Sequence, residues 1–164
     1  MRGLLVVNPP EPPFSVRNVV AVRTRPLRRR VLRPGQTDDE LTVPFEEHPD
    51  ARWFAVEVGG TIVGCAAVLP EARPDGPLAG WRVRAMATDP ALRLRGVGTS
   101  LLHACAVHAV ERAGSELWCT ARTGAAGFYL ERGFHSLGEP FDLHGLGPHV
   151  VMAGDPATVV AQTG

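Results

Sequence analysis

The chain contains no lysine, so all 17 of its basic side chains other than histidine are arginines. The phosphate-binding loop of nucleotide hydrolases needs a lysine directly after its second glycine. The absence of lysine therefore excludes that class of nucleotide site. A dinucleotide-binding fingerprint is also disfavoured, because it needs a third glycine three positions after Gly98, where the chain has Leu101.

Long hydrophobic runs are also missing. The N-terminal apolar run covers only residues 4–7 before Asn8, which is too short for a signal-peptide core, and no run approaches the roughly 18 to 20 residues of a membrane span. The three cysteines form no Cys-x-x-Cys pair and lie in apolar surroundings, as reduced and buried thiols do. We expect a cytoplasmic protein that does not bind membranes.

Neither the charge nor the histidines indicate nucleic-acid or metal binding. The formal net charge is +0 and the pI is about 7.0, which disfavours a general affinity for nucleic acid. His103 and His108 are five residues apart, which places them on different faces of a helix, and glycine and proline separate His144 from His149. The sequence predicts no metal site and no nucleic-acid partner.

A glycine-containing segment, 93–100, lies between a strand-like stretch and a helical one. Its spacing is Arg-x-x-Gly-x-Gly, counted from Arg93 to Gly98. The start of a helix leaves backbone N–H groups without internal partners and carries a partial positive charge, and glycine lets a phosphate approach the backbone. The segment therefore predicts an anion cradle, and a pyrophosphate would fit it.

The order of predicted elements indicates a single α/β domain. Residues 1–14 form a proline-rich tail, 15–154 the domain and 155–164 a C-terminal tail. A Gly-Gly turn at 59–60 predicts the clearest hairpin. The predicted strands are 16–24, 53–58, 61–69, 80–88, 116–120, 134–137 and 148–153; the predicted helices are 26–32, 98–113 and 124–132, with 34–51 irregular.

The segment 93–100 resembles the pyrophosphate loop of the GNAT acetyltransferase superfamily. The later segment 127–134, Gly-Phe-Tyr-Leu-Glu-Arg-Gly-Phe, resembles the helix of that family beside the coenzyme thiol. The resemblance covers roughly 16–153. It implies a mixed, mostly antiparallel sheet that is splayed between its fourth and fifth strands, with helices on both faces and the pantetheine arm of acetyl-CoA in the gap.

The resemblance also implies a set of coenzyme contacts. Backbone groups of the fourth strand would bind the pantetheine arm, N–H groups of the loop would hold the pyrophosphate, and two arginines would add charge. The implied coenzyme-binding residues are Met86, Ala87, Thr88, Arg93, Leu94, Arg95, Gly96, Val97, Gly98, Thr99, Ser100, Thr120, Phe128 and Tyr129.

Two catalytic roles follow from the resemblance, and a third stays open. The family's pattern makes Tyr129, the only tyrosine, the general acid that protonates the departing thiolate, and the backbone N–H of Met86 the oxyanion donor. The family's glutamate on the fourth strand is missing here, because 81–88 contains no carboxylate. The general base stays unknown, with Glu46 and Glu47 as weak candidates.

These features predict an acetyl-CoA-dependent N-acetyltransferase in which a primary amine, on a small molecule or a protein, attacks the thioester directly. The alternative is a sensor or interaction module that binds acyl-CoA without turnover, which the missing carboxylate favours.

Five arginines could ring the acceptor side, which would suit an anionic acceptor: Arg28, Arg29, Arg82, Arg84 and Arg122. A surface that uses arginine because lysine is absent would show the same residues. A homodimer paired through the C-terminal strands also stays open.

Overall fold

A computed structural model of the protein describes residues 14–164, except for the side chain of Asp38, and all structural statements refer to these residues. The predicted N-terminal tail, 1–14, lies outside them apart from Phe14. Seven strands form one sheet in the order β1-β2-β3-β4-β5-β7-β6. Every neighbouring pair is antiparallel except β4 and β5, which are parallel. The strands are β1 Val16–Asn18, β2 Arg52–Val58, β3 Thr61–Pro70, β4 Gly80–Thr88, β5 Glu116–Arg122, β6 His135–Asp142 and β7 Pro148–Gly154. The mixed, mostly antiparallel sheet is confirmed.

Helices cover both faces of the sheet. The five α-helices are α1 Arg25–Val31, α2 Asp38–Leu41, α3 Val97–Glu111, α4 Ala126–Leu130 and α5 Pro156–Thr163. Short 3-10 turns occur at Ala21–Thr24, Pro44–Glu47, Pro90–Leu92 and Thr123–Ala125. Helix α3 forms one layer over the strands and helices α1 and α2 form the other, so each face of the sheet buries its own set of apolar side chains.

The β2–β3 hairpin follows from its turn residues. Gly59 and Gly60 have φ angles of +56° and +79°, which a primed two-residue turn requires and which only glycine adopts without strain. The predicted hairpin is confirmed. Helix α3 also follows its predicted apolar spacing, because its inward residues are fully buried: Leu101, Leu102, Cys105, Ala106 and Ala109.

Strands β4 and β5 separate soon after they begin. They pair only from Gly80 to Arg82 against Glu116 to Trp118, and beyond those residues the two strands diverge. The splayed sheet is therefore confirmed. Because β4 and β5 run in the same direction, their C-terminal halves form the two walls of an open gap, and helix α3 starts just after the end of β4.

Two parts of the predicted layout are wrong. The predicted first strand, 16–24, ends at Asn18, and a 3-10 turn replaces its second half. The predicted C-terminal tail, 155–164, instead contains helix α5. Asp155 caps this helix by accepting from the Thr158 N–H, and Val159 is fully buried in the main core. Apart from Pro156 in the first turn, Val159 is the only buried residue of this segment. The apolar pattern of the segment is therefore too short to predict a packed helix.

Candidate functional site

A cleft of about 930 Å³ occupies the gap between β4 and β5. Its walls are the C-terminal half of β4 and residues 119–122 of β5. The start of α3 and helix α4 close one side, and residues 28–45 close the other. The cleft therefore brings the glycine segment, the fourth strand and Tyr129 together around one space, although β4 and Tyr129 are far apart in the sequence.

The segment before α3 has the backbone geometry of an anion cradle. Gly96 caps the helix with a φ of +91°, and Leu94 also has a positive φ of +64°. The first backbone hydrogen bond of the helix runs from the Ser100 N–H to the Gly96 carbonyl, so the N–H groups of the first turn have no acceptor within the helix. Leu94, Gly96, Gly98 and Thr99 line the cleft.

Arg132 adds a positive charge that was not singled out from the sequence. Its Nε donates to the Thr99 hydroxyl at 2.9 Å, and its guanidinium lies 4.1 Å from the centre of the Phe128 ring. Arg93 also lines the cleft, whereas Arg95 is exposed and is not among the cleft residues. The spacing of residues 127–134 locates α4, but only the packing of α4 on α3 brings Arg132 to this position.

Strand β4 contains a bulge beside the cleft. Cys65 pairs with Ala87 and Ala67 pairs with Arg84, so the two residues Ala85 and Met86 face a single residue of β3. Ala85 takes a φ of +53°, the strained conformation that such a bulge imposes on a residue other than glycine. The ladder is thus interrupted at Ala85 and Met86, and Met86 is the residue whose backbone N–H the resemblance makes the oxyanion donor.

Tyr129 lies on the α3 side of the cleft, and 6% of it is exposed. Its ring packs edge-on between those of Phe128 and Phe134, with ring centroids 5.0 and 5.2 Å away. Burial, with a smaller effect of Cys119, raises the pKa of Tyr129 well above its ordinary value of 10.0. Burial also raises the pKa of Cys119 to about 12. Both groups therefore keep their protons at neutral pH.

The two weak base candidates lie apart from the cleft. Glu46 accepts from Arg25 at 3.0 Å and from Arg28 at 2.9 Å, and 8% of its side chain is exposed. Burial alone would raise the pKa of Glu46, but the hydrogen bonds and charges of the two arginines outweigh it and lower that pKa. Glu47 is exposed. Neither side chain is among the described residues that line the cleft.

His149 of β7 is the titratable residue that the sequence analysis missed. It lines the cleft, is buried, and pairs in register with Arg122 of β5. Its Nδ1 lies 2.8 Å from the Gly147 carbonyl oxygen, so we assign the ring proton to Nδ1 and the lone pair to Nε2. The local sequence Gly-x-His gives no signal of this role. His149 reaches the cleft only because β7 pairs in this register with β5.

Comparison with known proteins adds to this geometry. A family model described as an acetyltransferase (GNAT) domain matches residues 49–136. An uncharacterized N-acetyltransferase of Bacillus subtilis (strain 168), YitI, is 31% identical over 141 residues, which cover 85% of this chain and 94% of the relative. The chain belongs to the GNAT acetyltransferase family. The resemblance drawn from residues 93–100 and 127–134 is confirmed.

Solved structures agree with the GNAT fold. Escherichia coli ElaA superposes with a TM-score of 0.70 at 18% identity, over 86% of this chain and 99% of that chain. An aminoglycoside 6'-N-acetyltransferase complexed with coenzyme A also superposes with a TM-score of 0.70, at 14% identity, over 87% of this chain and 97% of that chain. At these identities the likeness concerns the fold, which this GNAT chain shares with a protein whose structure contains coenzyme A.

Metal and membrane signals are absent from residues 14–164 of this GNAT chain. No group of three or more histidine, cysteine, aspartate or glutamate side chains is arranged to hold a metal ion there. In the same residues, no helix combines the length and the hydropathy needed to span a bilayer.

Proposed function

We propose that the protein is an N-acetyltransferase that moves the acetyl group of acetyl-CoA to a primary amine by direct attack on the thioester. The observation that carries the proposal is the arrangement of one cleft, with a helix start at one end, a bulged strand as one wall and a buried tyrosine facing it. We also propose a cytoplasmic location, because the three cysteines are free and buried.

The cleft offers coenzyme A a different partner for each of its parts. The pyrophosphate would accept hydrogen bonds from the N–H groups of residues 94–99, with Arg93 and Arg132 as nearby charges and Arg95 as a more distant one. The pantetheine arm would pair with backbone groups of residues 86–88 as an added strand, because β5 has moved away from that part of β4. Thr120 and Phe128 line the remaining walls.

The chemistry requires a neutral amine, a partner for the oxyanion and a proton for the thiolate. The amine nitrogen attacks the thioester carbon, and the carbonyl oxygen becomes an oxyanion that the Met86 N–H stabilises. As the carbon–sulfur bond breaks, the Tyr129 hydroxyl gives its proton to sulfur, and the nitrogen loses a proton to a base. The products are an amide and free coenzyme A. Cys119 takes no part as a nucleophile, because its thiol stays protonated.

We propose His149 as the base that takes the proton from the attacking amine. Among the described residues that line the cleft, Glu40 is the only other side chain that could act as a base. Its carboxylate already accepts a hydrogen bond from the Thr37 N–H at 2.6 Å. Histidine is the side chain that most often acts as a general base in enzymes, and a neutral imidazole can accept the proton of an attacking amine. With Nδ1 held by the Gly147 carbonyl, Nε2 is the nitrogen that can accept a proton.

The variant His149→Gln should lower kcat/KM about tenfold at pH 7, because no imidazole then accepts the proton from the attacking amine. The matched control is His144→Gln, since His144 is exposed on the β6–β7 turn. Steady-state rates of thiol release at pH 7 measure both. An unchanged kcat/KM in His149→Gln, or an equal loss in His144→Gln, would contradict the assignment.

Thermal unfolding with acetyl-CoA, coenzyme A and ATP tests the coenzyme site. A ligand at about 100 times its Kd stabilises a fold by about 2.7 kcal/mol, and this shifts the Tm by several degrees. We expect the shift with acetyl-CoA and coenzyme A and not with ATP. Arg132→Gln should reduce it, and Arg112→Gln, an exposed arginine at the far end of α3, should not. No shift with acetyl-CoA would overturn the proposal, and a shift without thiol release from any amine would favour the sensor alternative.

A further inference from the structure

Four arginines line the cleft on the side of α1 and α2. Arg33 follows α1, Arg82 and Arg84 belong to β4, and Arg122 ends β5. Arg82 and Arg84 point to the same face of β4 because side chains alternate along a strand. Arg82 donates to the Thr120 hydroxyl at 3.4 Å. Thr120 and Arg122 lie on the same face of β5, so this face continues the face of β4 that carries Arg82 and Arg84. We call these residues the acceptor-side arginines.

The acceptor-side arginines carry more positive charge than the described residues neutralise. Arg82 pairs with Glu71 at 2.9 Å. Among the described side chains of residues 14–164, Arg33, Arg84 and Arg122 have no carboxylate oxygen within 4.0 Å. The charge of Glu71 partly offsets the lowering of the Arg84 pKa. Three positive charges therefore line the cleft without a close ionic partner among the described side chains.

Repulsion between these cations contributes to the lowered pKa values of two of them. Burial, followed by the charge of Arg122, lowers the pKa of Arg33. Burial, followed by the charge of Arg82, lowers the pKa of Arg84. Arginine keeps its proton in proteins even when its pKa falls, so these groups stay cationic and continue to repel one another. A bound anion would remove both the repulsion and part of the desolvation cost.

The guanidinium groups are also held in place. Arg84 lies over the Phe45 ring at 4.6 Å, and Arg82 lies over the Trp118 ring at 4.5 Å. Arg33 and Arg122 both donate to the Leu32 carbonyl, at 3.0 and 3.3 Å, which keeps the two cations beside each other. Such fixed planar donors bind a carboxylate or phosphate with little further ordering.

We propose that the acceptor is a small amine that also carries an oxyanion, either a carboxylate or a phosphate, and that the acceptor-side arginines bind this group. This inference rests on the proposed acetyl transfer. The coenzyme phosphates do not account for the cluster, because the cradle residues Thr99 and Arg132 lie on the α3 and α4 side, whereas Arg84 contacts Phe45 on the α1 and α2 side. The arginines orient the amine so that its nitrogen faces the gap beside His149.

The first test compares matched amines. We expect kcat/KM for β-alanine to exceed that for β-alaninamide at least about tenfold, and the same for O-phosphoethanolamine against ethanolamine if phosphate is the preferred group. The amide has the less basic amine and so more of the neutral form at pH 7, which biases the comparison against the proposal. A preference in one pair identifies the oxyanion. Equal or higher values for both neutral amines would overturn the proposal.

The second test uses variants. Arg84→Gln and Arg122→Gln should each raise KM for the preferred anionic amine at least about fivefold and leave KM for its neutral partner and the Kd of acetyl-CoA unchanged. Arg122 is exposed, so its variant keeps the test valid if Arg84→Gln folds poorly. Arg17→Gln, on the exposed edge strand β1, is the matched control. Equal KM changes for charged and neutral amines would overturn the anion site.

The binding of products separates this inference from the proposed function. Calorimetric titration of the coenzyme A complex with N-acetyl-β-alanine and with N-acetyl-O-phosphoethanolamine needs no turnover. Binding that is lost in Arg122→Gln supports the anion site even if no amine is acetylated. If wild-type protein binds acetyl-CoA and releases thiol but binds neither anion, the proposed function stands and the anion site is wrong. If acetyl-CoA itself fails to bind, the proposed function is wrong, and titration of the free protein with the two anions decides the anion site separately.

Discussion

Replacing Tyr129 by phenylalanine should lower kcat about a hundredfold and leave the Kd of acetyl-CoA unchanged. General acid catalysis contributes roughly 10² to 10⁴ to such reactions, and the phenol is the group that we propose protonates the departing sulfur. The ring would keep its packing between Phe128 and Phe134, so the loss concerns the hydroxyl alone. Steady-state kinetics with a separate coenzyme titration measures the two effects.

We expect the effect on kcat rather than on binding because the phenol would act as a proton donor, and its protonation state suits that role. Since the pKa of Tyr129 lies well above 10, the side chain is a proton donor at every pH at which the protein is assayed. The alkaline side of the pH–rate profile should therefore show no inflection from Tyr129 below about pH 10. An unchanged kcat in Tyr129→Phe, with an unchanged Tm, would show that the thiolate leaves without this acid.

Glu46→Ala should reduce the free energy of unfolding by about 3 to 5 kcal/mol. Removing one partner of a buried ion pair leaves the other charge buried and uncompensated. Here the stranded partner is Arg28, which has 4% of its side chain exposed and also donates to the Thr24 hydroxyl and the Leu41 carbonyl. Glu47→Ala is the matched control, because Glu47 is the exposed neighbour and surface substitutions usually change stability by less than about 0.5 kcal/mol.

The destabilisation should depend on pH with a defined sign. The folded-state pKa of Glu46 is below its ordinary value of 4.5, so folding favours the charged form. The stabilisation is fully present above the unfolded pKa and is lost as the pH falls through the folded pKa. Urea unfolding of wild type and Glu46→Ala at pH 7 and below pH 4 should therefore give a smaller difference at the lower pH. A difference that grows on acidification would contradict the ion-pair explanation.

Local patterns were enough for the elements whose cause is local. The Gly59–Gly60 pair predicts a primed turn because few other residues adopt two successive positive φ angles, and the spacing of Leu101, Leu102 and Cys105 predicts a buried helix face. The segment 93–100 predicts an anion cradle because helix starts carry free N–H groups wherever they occur. Helix α5 was missed because its single deeply buried valine gives no periodic signal, and the partner of that valine is the distant helix α3.

Long-range pairing decided the rest of the site. The sequence of residues 80–88 predicts a regular strand, whereas the bulge at Ala85 and Met86 depends on the register of β4 with β3. Glu46 looks like a solvated loop carboxylate, and only the arrival of Arg25 and Arg28 makes it a buried structural partner. His149 and Arg122 become neighbours through the pairing of β5 with β7. Turn chemistry, helix periodicity and the phosphate cradle are properties of a few consecutive residues, so they can be read from the amino-acid order. The bulge, the position of His149 beside Arg122 and the addition of Arg33 to the arginines that the sequence indicated are relations between segments brought together by the fold, so only the tertiary structure decides them.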